Sequence, residues 1–262
     1  MHFKKPTLSK QLFVLTQDSI IYAETRFYQK KFEIIRQKNF SFENLRRNLA
    51  KLKLKQKASL CIPVSMVNCK LLPIDHALNE KEMYQYINEA VLDLFGKKYD
   101  DLYIDYQLIS EPLTSVYKKS GQRYLQMVAA KKSELDKLLA HFSAAKIRIK
   151  NIETTGFALA RLACHLVPEN VEIFTSIFIW GKTFFTCVIE QGCLLYAKQS
   201  ELTGDDTSEI KQAIQIFKTL YPHTKIQKYF LIQENVRKDF YLDLPCEKIT
   251  IENPSLLWGL TL

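Results

Sequence analysis

The stretch QLFVLTQDSIIYAE, Gln11 to Glu24, decides how the first part of the chain folds. Two apolar runs flank a polar break, Thr16 to Ser19, so the pattern predicts two antiparallel strands joined by a tight turn. A turn that holds phosphate usually contains glycine, because a Cβ blocks the close approach of the backbone. This turn contains none, so the stretch predicts a hairpin without the usual means of holding phosphate.

The pattern around this hairpin returns near the end of the chain. The third strand-like run, KFEIIRQKNF, is followed by a helix that Ser41 is expected to cap and by the apolar strand ASLCIPV. Residues 171–234 repeat this order, with three strand-like runs, a helix from about Asp205 to Tyr221 and the strand YFLIQE. Two copies of three strands, a helix and a strand predict a duplicated α/β fold. The inward side chains of the first helix are predicted to be Phe42, Leu45, Leu49 and Leu52.

A further α/β segment lies between the two copies. It reads as the strand NCKLLPI, a helix over 79–95, the strands LYIDYQLIS and RYLQMVAAK, an amphipathic helix KSELDKLLAHFSAA and the strand IRIKNIE. The helix GFALARLACHL follows. The natural boundary lies near Thr154–Gly156, so the predicted halves are residues 1–155 and 156–262.

The composition of the chain indicates its general class and the compartment in which we expect it. With 262 residues, 47% hydrophobic and 25% charged, the chain is typical of soluble globular proteins. Its six cysteines form no Cys-x-x-Cys pair and lie mostly in apolar runs, which indicates a reducing compartment. The N-terminus lacks the apolar segment of a secretory signal, and no apolar run is long enough to span a membrane. We therefore expect a cytoplasmic protein.

Positive charge is concentrated near the N-terminus. Residues 1–60 contain 14 Lys or Arg against 4 Asp or Glu, whereas the whole chain has a formal net charge of +9. Such an excess suits an anionic membrane surface, nucleic acid or an acidic protein, and an ordinary solvated face is an equally good interpretation. Aromatic and basic residues also alternate between Arg26 and Phe42, but a half-buried antiparallel sheet produces the same pattern.

Local signatures of catalysis are missing from the sequence. The five histidines are scattered without metal-ligand spacing, and no Gly-x-Ser-x-Gly elbow is present. The run WGKT, Trp180 to Thr183, matches the end of a phosphate loop, but Ser176 stands where that loop needs its first glycine. Gly181 is therefore predicted to form a turn between two strands.

Several motifs resemble the type IV pilus assembly protein PilM family, which is related to the cytoplasmic domain of the type II secretion L component. The similar stretches are CIPVSMVNCKLLPI, YIDYQLI, EQGCLLYAKQSE and ENPSLLWGLTL. A longer similar stretch runs from Met127 to Leu162 and combines a Val-Ala-Ala-Lys strand, a helix, a strand and a Phe-Ala-Leu helix. The resemblance extends over nearly the whole chain.

The resemblance implies an actin-like (RNase H-like) fold of two βββαβ halves, with an inserted α/β subdomain at about 64–147. Family members bind ATP in the cleft between the halves, and they bind the cytoplasmic N-terminal tail of PilN in a groove beside the inserted subdomain. The positions that the resemblance assigns to the two phosphate loops are Thr16, Gln17, Asp18, Ser19, Gly181, Lys182 and Thr183. The positions that it suggests for the partner are Pro63, Ser65, Val67, Tyr84, Gln85 and Asn88.

The departures from the family fall on the nucleotide site. The acidic residue and second glycine of the first phosphate loop become Val14 and Thr16, and the Asp-Ile-Gly of the second becomes Ile179-Trp180-Gly181. The adenosine-side glycine pair becomes Gln233-Glu234. Because the lost acids anchor the water shell of Mg²⁺, which neutralises phosphate charge, we expect no ATPase activity and no bound ATP or Mg²⁺. The scattered histidines predict no other metal site.

The leading hypothesis is a non-catalytic adaptor on the cytoplasmic side of an inner-membrane pilus or secretion platform, binding a PilN-like tail. One alternative is a residual nucleotide switch in which Thr16, Ser19, Lys182 and Thr183 hold phosphate. A second alternative is binding of nucleic acid or anionic lipid through residues 26–57, although no nucleic-acid partner is expected.

Overall fold

The computed structural model describes residues 9–16, 18–28, 31–52, 54, 57–74, 78–96, 99–109, 123–180, 182–201, 208–234 and 244–251. The strands are β1 (Ser9–Leu15), β2 (Ser19–Tyr28), β3 (Lys31–Ser41), β4 (Ala58–Ile62), β5 (Val67–Ile74), β6 (Leu102–Ile109), β7 (Arg123–Lys131), β8 (Ile149–Thr154), β9 (Ile173–Trp180), β10 (Thr183–Glu190), β11 (Cys193–Glu201), β12 (Lys228–Glu234) and β13 (Cys246–Ile251). The helices are α1 (Leu45–Ala50), α2 (Glu80–Phe95), α3 (Lys132–Ala144), α4 (Thr155–Leu166) and α5 (Ser208–Leu220).

Two five-stranded sheets have the same internal arrangement. The first has the order β3-β2-β1-β4-β8, and the second has the order β11-β10-β9-β12-β13. In each, the first three strands along the chain pair antiparallel, the fourth pairs in parallel with the first, and the fifth pairs in parallel with the fourth. The predicted duplicated α/β fold is therefore confirmed.

A third sheet is inserted between β4 and β8 of the first half. Its strands β5, β7 and β6 pair antiparallel, and α2 packs on one face through Ile87 and Val91. A capping box starts α2: the Asn79 side chain accepts from the N–H of Glu82, and the Glu82 carboxylate accepts from the N–H of Asn79. Helix α3 packs on the first sheet, and the bounds of the inserted subdomain, about 64–147, stay a prediction.

Helix α4 lies between the two five-stranded sheets and contributes to one shared core. Ala158, Leu159 and Leu162 are fully buried there together with Val14 of β1 and Phe178 of β9. The Thr154 hydroxyl caps the helix by accepting from the N–H of Phe157 at 3.3 Å. Helix α4 begins at this point and packs on both sheets, so its contacts do not assign it to one half. The predicted boundary at residues 155/156 therefore stays a prediction.

Gly156 lets the first turn of α4 approach the edge of the second sheet. A Cβ on Gly156 would lie 3.0 Å from the Cβ of Ala197, 3.3 Å from Leu194 and 3.4 Å from Val64. A contact of 3.0 Å is too short for two carbon atoms, so any larger residue at this position must push the helix away from β11.

Two details of the predicted elements are wrong. Phe42 is 41% exposed instead of buried, because residues Phe42–Asn44 form a 3-10 turn before α1 begins, and Ser41 makes no side-chain capping bond to that turn. The fifth strand of the second half, β13, was not expected from the sequence. The terminal motif ENPSLLWGLTL and residues Asp205 to Thr207 lie outside the described residues.

Candidate functional site

The first hairpin end, where the resemblance places a phosphate loop, is closed by its own hydrogen bonds. The N–H of Thr16 donates to the carbonyl of Ser19 at 2.9 Å, and the N–H of Ser19 donates to the Thr16 hydroxyl at 3.1 Å. The two hydroxyl oxygens lie 2.9 Å apart, within hydrogen-bond distance. Asp18 is exposed, and Gln17 lies outside the described residues. The polar groups of Thr16 and Ser19 are thus directed at each other.

Val14 occupies the position where the family has its acidic residue. Its side chain is fully buried in the core that α4 shares with both sheets, between residues such as Leu12 and Ala158. A carboxylate placed among these apolar groups would lose its hydration without gaining a partner, which is strongly unfavourable.

At the second hairpin end, the last two residues of β9 pack on opposite faces of the sheet. Ile179, predicted to replace the second acidic residue, lies on the opposite face of the sheet and packs against Ile210 and Ile214 of α5. Trp180 packs against the shared core instead. Trp180, and not Ile179, therefore presents an apolar side chain to the same shared core as Val14, and the alignment of Ile179 with the second acidic residue stays a prediction.

The remaining predicted nucleotide positions lie at the same ends of the strands. Lys182 is exposed, Thr183 is half-buried and pairs with Trp180, and Gly181 lies outside the described residues. Gln233 and Glu234 are the last residues of β12, so an extended strand replaces the expected glycine pair. Apolar side chains and an internally bonded turn do not fit a Mg²⁺-phosphate group. Within the residues described, no three His, Cys, Asp or Glu side chains are grouped as a metal site.

An open groove lies elsewhere, between the inserted sheet and the first half. Its volume is about 400 Å³, within the range of ligand-binding pockets. Strands β6 and β7 form one wall, and β8 with the first turns of α4 forms the other. The lining residues are Asp105, Tyr106, Gln107, Gln126, Val128, Asn151, Ile152, Glu153, Thr154, Phe157 and Arg161.

Both walls end in an outermost strand, as far as the described residues extend. β6 is the last strand of the inserted sheet, and β8 is the last strand of the first sheet. The N–H of Tyr106 on β6 donates to the Asp105 carboxylate at 2.9 Å, so this N–H is directed away from β7. Tyr106 and Ile152 are large, exposed side chains on the two facing edges. Exposed strand edges with apolar side chains are surfaces to which an extended peptide can add.

The charges in the groove are two carboxylates and one guanidinium. Arg161 forks onto both carboxylate oxygens of Glu153, one of them at 2.7 Å. This bond raises the pKa of Arg161 above its usual value. Because Glu153 is neutralised by Arg161, Asp105 supplies the net negative charge of the groove.

A buried amide connects the groove to the second half. Gln126 is almost fully buried, and its amide donates to the carbonyl of Leu194 in β11 at 2.6 Å. The same side chain accepts from the Gln107 amide at 2.8 Å. The inserted sheet is thus joined by the Gln126–Leu194 hydrogen bond to the edge of the second sheet.

The residues predicted for the partner lie outside this groove. Pro63 and Ser65 line a smaller cavity of about 340 Å³ beside Gln199, Ser200 and Glu201, and Val67 lines a third of about 390 Å³. Tyr84 and Gln85 lie on the exposed side of α2, Asn88 is half-buried, and the Gln85 amide donates to Glu89. The groove was expected between the first sheet and the inserted segment, but none of the six predicted residues lines it.

Comparison of sequences finds no matching protein-family model and no matching curated protein. Within the described residues, no helix has the length and apolar character needed to cross a membrane.

Comparison of structures finds several similar folds. The cytoplasmic domain of EpsL, an inner-membrane component of the type II secretion system of Vibrio cholerae, is 12% identical, with 97% of this chain and 93% of that chain covered at a TM-score of 0.61. A PilM-PilN type IV pilus biogenesis complex is 11% identical, with 87% and 82% covered at 0.64. A Bacteroides thetaiotaomicron protein with an actin-like ATPase fold is 12% identical, with 96% and 95% covered at 0.52. The chain therefore has the actin-like ATPase fold.

Proposed function

We propose that this protein is a non-catalytic, cytoplasmic adaptor of the PilM type, docked at the inner membrane on a type IV pilus or related secretion platform. Its partner in this proposal is the N-terminal cytoplasmic tail of a PilN-like membrane protein. The observation that carries the proposal is the open groove between β6 and β8, each of which has an edge that no strand of the described residues pairs with. The similarity to EpsL and to the PilM-PilN complex supports the setting.

The tail binds in an extended conformation in this proposal. Main-chain groups of a strand added to β6 or β8 give affinity, and pockets for alternate side chains give specificity. Ile152, Tyr106 and Phe157 provide apolar contacts for one side of the added strand. An added strand on β6 competes with the Asp105 carboxylate for the N–H of Tyr106.

Charge also matches such a tail. Cytoplasmic segments next to a membrane span are rich in Lys and Arg. When a bound strand releases Asp105 from the Tyr106 N–H, that carboxylate becomes available to a basic residue of the tail. Glu153 is held by Arg161, so Asp105 is the carboxylate that we assign to this contact.

The proposal includes no ATP hydrolysis and no bound nucleotide. It is supported by Val14 and Trp180, which present apolar groups to the shared core, and by the closed turn between Thr16 and Ser19. The alternative of a residual nucleotide switch predicts micromolar binding of Mg-ATP by calorimetry, whereas we expect no heat of binding.

Fluorescence anisotropy with a labelled tail peptide of the PilN-like protein from the same organism tests the proposal. The wild-type chain should bind, and Ile152→Asp should weaken binding about 30-fold or more, because a charge replaces a central apolar contact. Ile216→Asp is the matched control, since Ile216 lies on α5 and is 37% exposed against 40% for Ile152. Unchanged binding by Ile152→Asp, or no wild-type binding at high micromolar concentration, would contradict the proposal.

A further inference from the structure

A strongly basic surface lies at the edge of the first sheet that is opposite to the groove. Residues 26–57 contain 11 Lys or Arg and 2 Glu, a net charge of +9 that equals the formal charge of the whole chain. Among the described residues of this segment, most belong to β3 and α1, and β3 is the outermost strand of the first sheet on the side away from β8. The segment accounts for the net positive charge of the chain, because the other residues carry 26 Lys or Arg and 26 Asp or Glu.

Several of these cations share one side of the sheet. Side chains two residues apart on a strand point to the same face, so Arg36 and Lys38 share the face of Phe40, which is buried against α1. The Arg36 guanidinium lies 6.0 Å from the ring centroid of Tyr22, which is buried on that face. Arg46 and Arg47 are exposed on α1 itself.

Two large apolar side chains are exposed within this basic edge. Ile35 is 51% exposed, and the register shift between β2 and β3 makes it the extra residue of the strand. Phe42 is exposed on the 3-10 turn that leads into α1. Basic residues around an exposed apolar side chain are the combination with which proteins bind the surface of an anionic bilayer.

Nucleic acid is a less suitable ligand for this surface. Binding of single strands depends on aromatic platforms for base stacking. Ile35 is aliphatic and cannot stack, whereas both Ile35 and Phe42 can enter the interface between headgroups and acyl chains.

We propose that this basic surface binds a bilayer of anionic phospholipids. The cations that contact the headgroups are Arg36, Lys38, Arg46 and Arg47, and the side chains of Ile35 and Phe42 insert at the bilayer surface. This contact is made by the protein itself and does not depend on a tail bound in the groove. It predicts an affinity that falls steeply with added salt.

Co-sedimentation with vesicles tests the proposal. The full chain should bind vesicles of equal parts phosphatidylglycerol and phosphatidylcholine at low salt, and should not bind pure phosphatidylcholine. Arg46→Gln/Arg47→Gln should lower the partition coefficient about 30-fold, since each cation near an anionic surface strengthens binding about fivefold. Lys218→Gln/Lys225→Gln removes two exposed cations from the second half and should leave binding unchanged.

The other variants separate this surface from the groove. Phe42→Ala should weaken vesicle binding several-fold without changing binding of the tail peptide. Ile152→Asp should weaken binding of the tail peptide without changing vesicle binding. An equal loss of vesicle binding by Arg46→Gln/Arg47→Gln and by Lys218→Gln/Lys225→Gln would overturn the proposal. Vesicle binding that does not weaken with added salt would also overturn it. Tighter binding of a single-stranded oligonucleotide that also depends on Arg46 and Arg47 would assign the surface to nucleic acid instead.

Discussion

The end of the first hairpin and the groove between β6 and β8 are two regions of one chain with opposite character. At the hairpin end, Val14 is buried among apolar side chains and the hydroxyls of Thr16 and Ser19 are directed at each other. In the groove, two strand edges and the large side chains of Tyr106 and Ile152 are exposed. A surface that can accept another chain is thus present beside the inserted sheet, whereas the groups of the first hairpin end contact one another.

The largest expected loss of stability comes from placing an acidic residue at position 14. Val14→Asp should reduce the free energy of unfolding by at least about 4 kcal/mol, because it places an unpartnered carboxylate in an apolar core. Burial raises the pKa of such a carboxyl above its unfolded value, so the loss should grow as the pH rises through the unfolded pKa and be smaller in acid. Urea denaturation across pH measures both effects.

Val14→Ala is the control for the lost packing alone and should cost about 2 kcal/mol without pH dependence. A Val14→Asp protein as stable as the wild type would mean that the cleft at this position is open and hydrated.

Gln126→Leu tests whether the groove is fastened to the second half. The substitution leaves the carbonyl of Leu194 without its donor in a buried site, which should cost about 1–3 kcal/mol. Gln107→Leu removes only the hydrogen bond from the exposed Gln107 amide to the Gln126 side-chain oxygen, and it should cost less than about 1 kcal/mol. Thermal unfolding compares the two variants, and equal losses would show that the contact to Leu194 contributes little.

Gly156→Ala tests the close packing of α4 on β11. Alanine favours a helix over glycine by up to about 1 kcal/mol, but overlap with Ala197 should outweigh this and destabilise the protein by about 1–2 kcal/mol net. In a double-mutant cycle, Ala197→Gly should recover part of the loss. Stabilisation by Gly156→Ala alone would mean that the helix and the strand are not in tight contact.

Thr16→Ala is the smallest expected change at the hairpin end. Losing the hydroxyl bonds to Ser19 should cost about 1 kcal/mol in the free energy of unfolding. Mg-ATP should not change the melting temperature of either the wild type or the variant. A rise confined to the wild type would assign the Thr16 hydroxyl to phosphate.

Local sequence patterns predicted most strands and helices, because each depends on the period of its own apolar residues. β13 was missed since it lies at a sheet edge, where Glu247 and Lys248 are exposed and interrupt the apolar pattern. Phe42 was assigned to the core from helical spacing, but a 3-10 turn has a different angular step and directs its side chain to solvent.

The site was less predictable than the fold. Trp180 and not Ile179 faces the shared core, because adjacent residues of a strand point to opposite faces of the sheet. The groove combines residues from β6, β7, β8 and α4, and only tertiary packing brings these elements together. Arg161 and Ile152 belong to ordinary helix and strand patterns, so nothing local indicated their place in the groove.

Hydrogen–deuterium exchange of the full chain, measured alone, with the tail peptide and with Mg-ATP, distinguishes peptide binding in the groove from nucleotide binding at the first hairpin. We expect the peptide to slow exchange in β6 (Leu102–Ile109) and β8 (Ile149–Thr154), and Mg-ATP to change nothing between Leu12 and Ile20. Protection of Leu12 to Ile20 by Mg-ATP, with β6 and β8 unaffected by the peptide, would contradict both expectations.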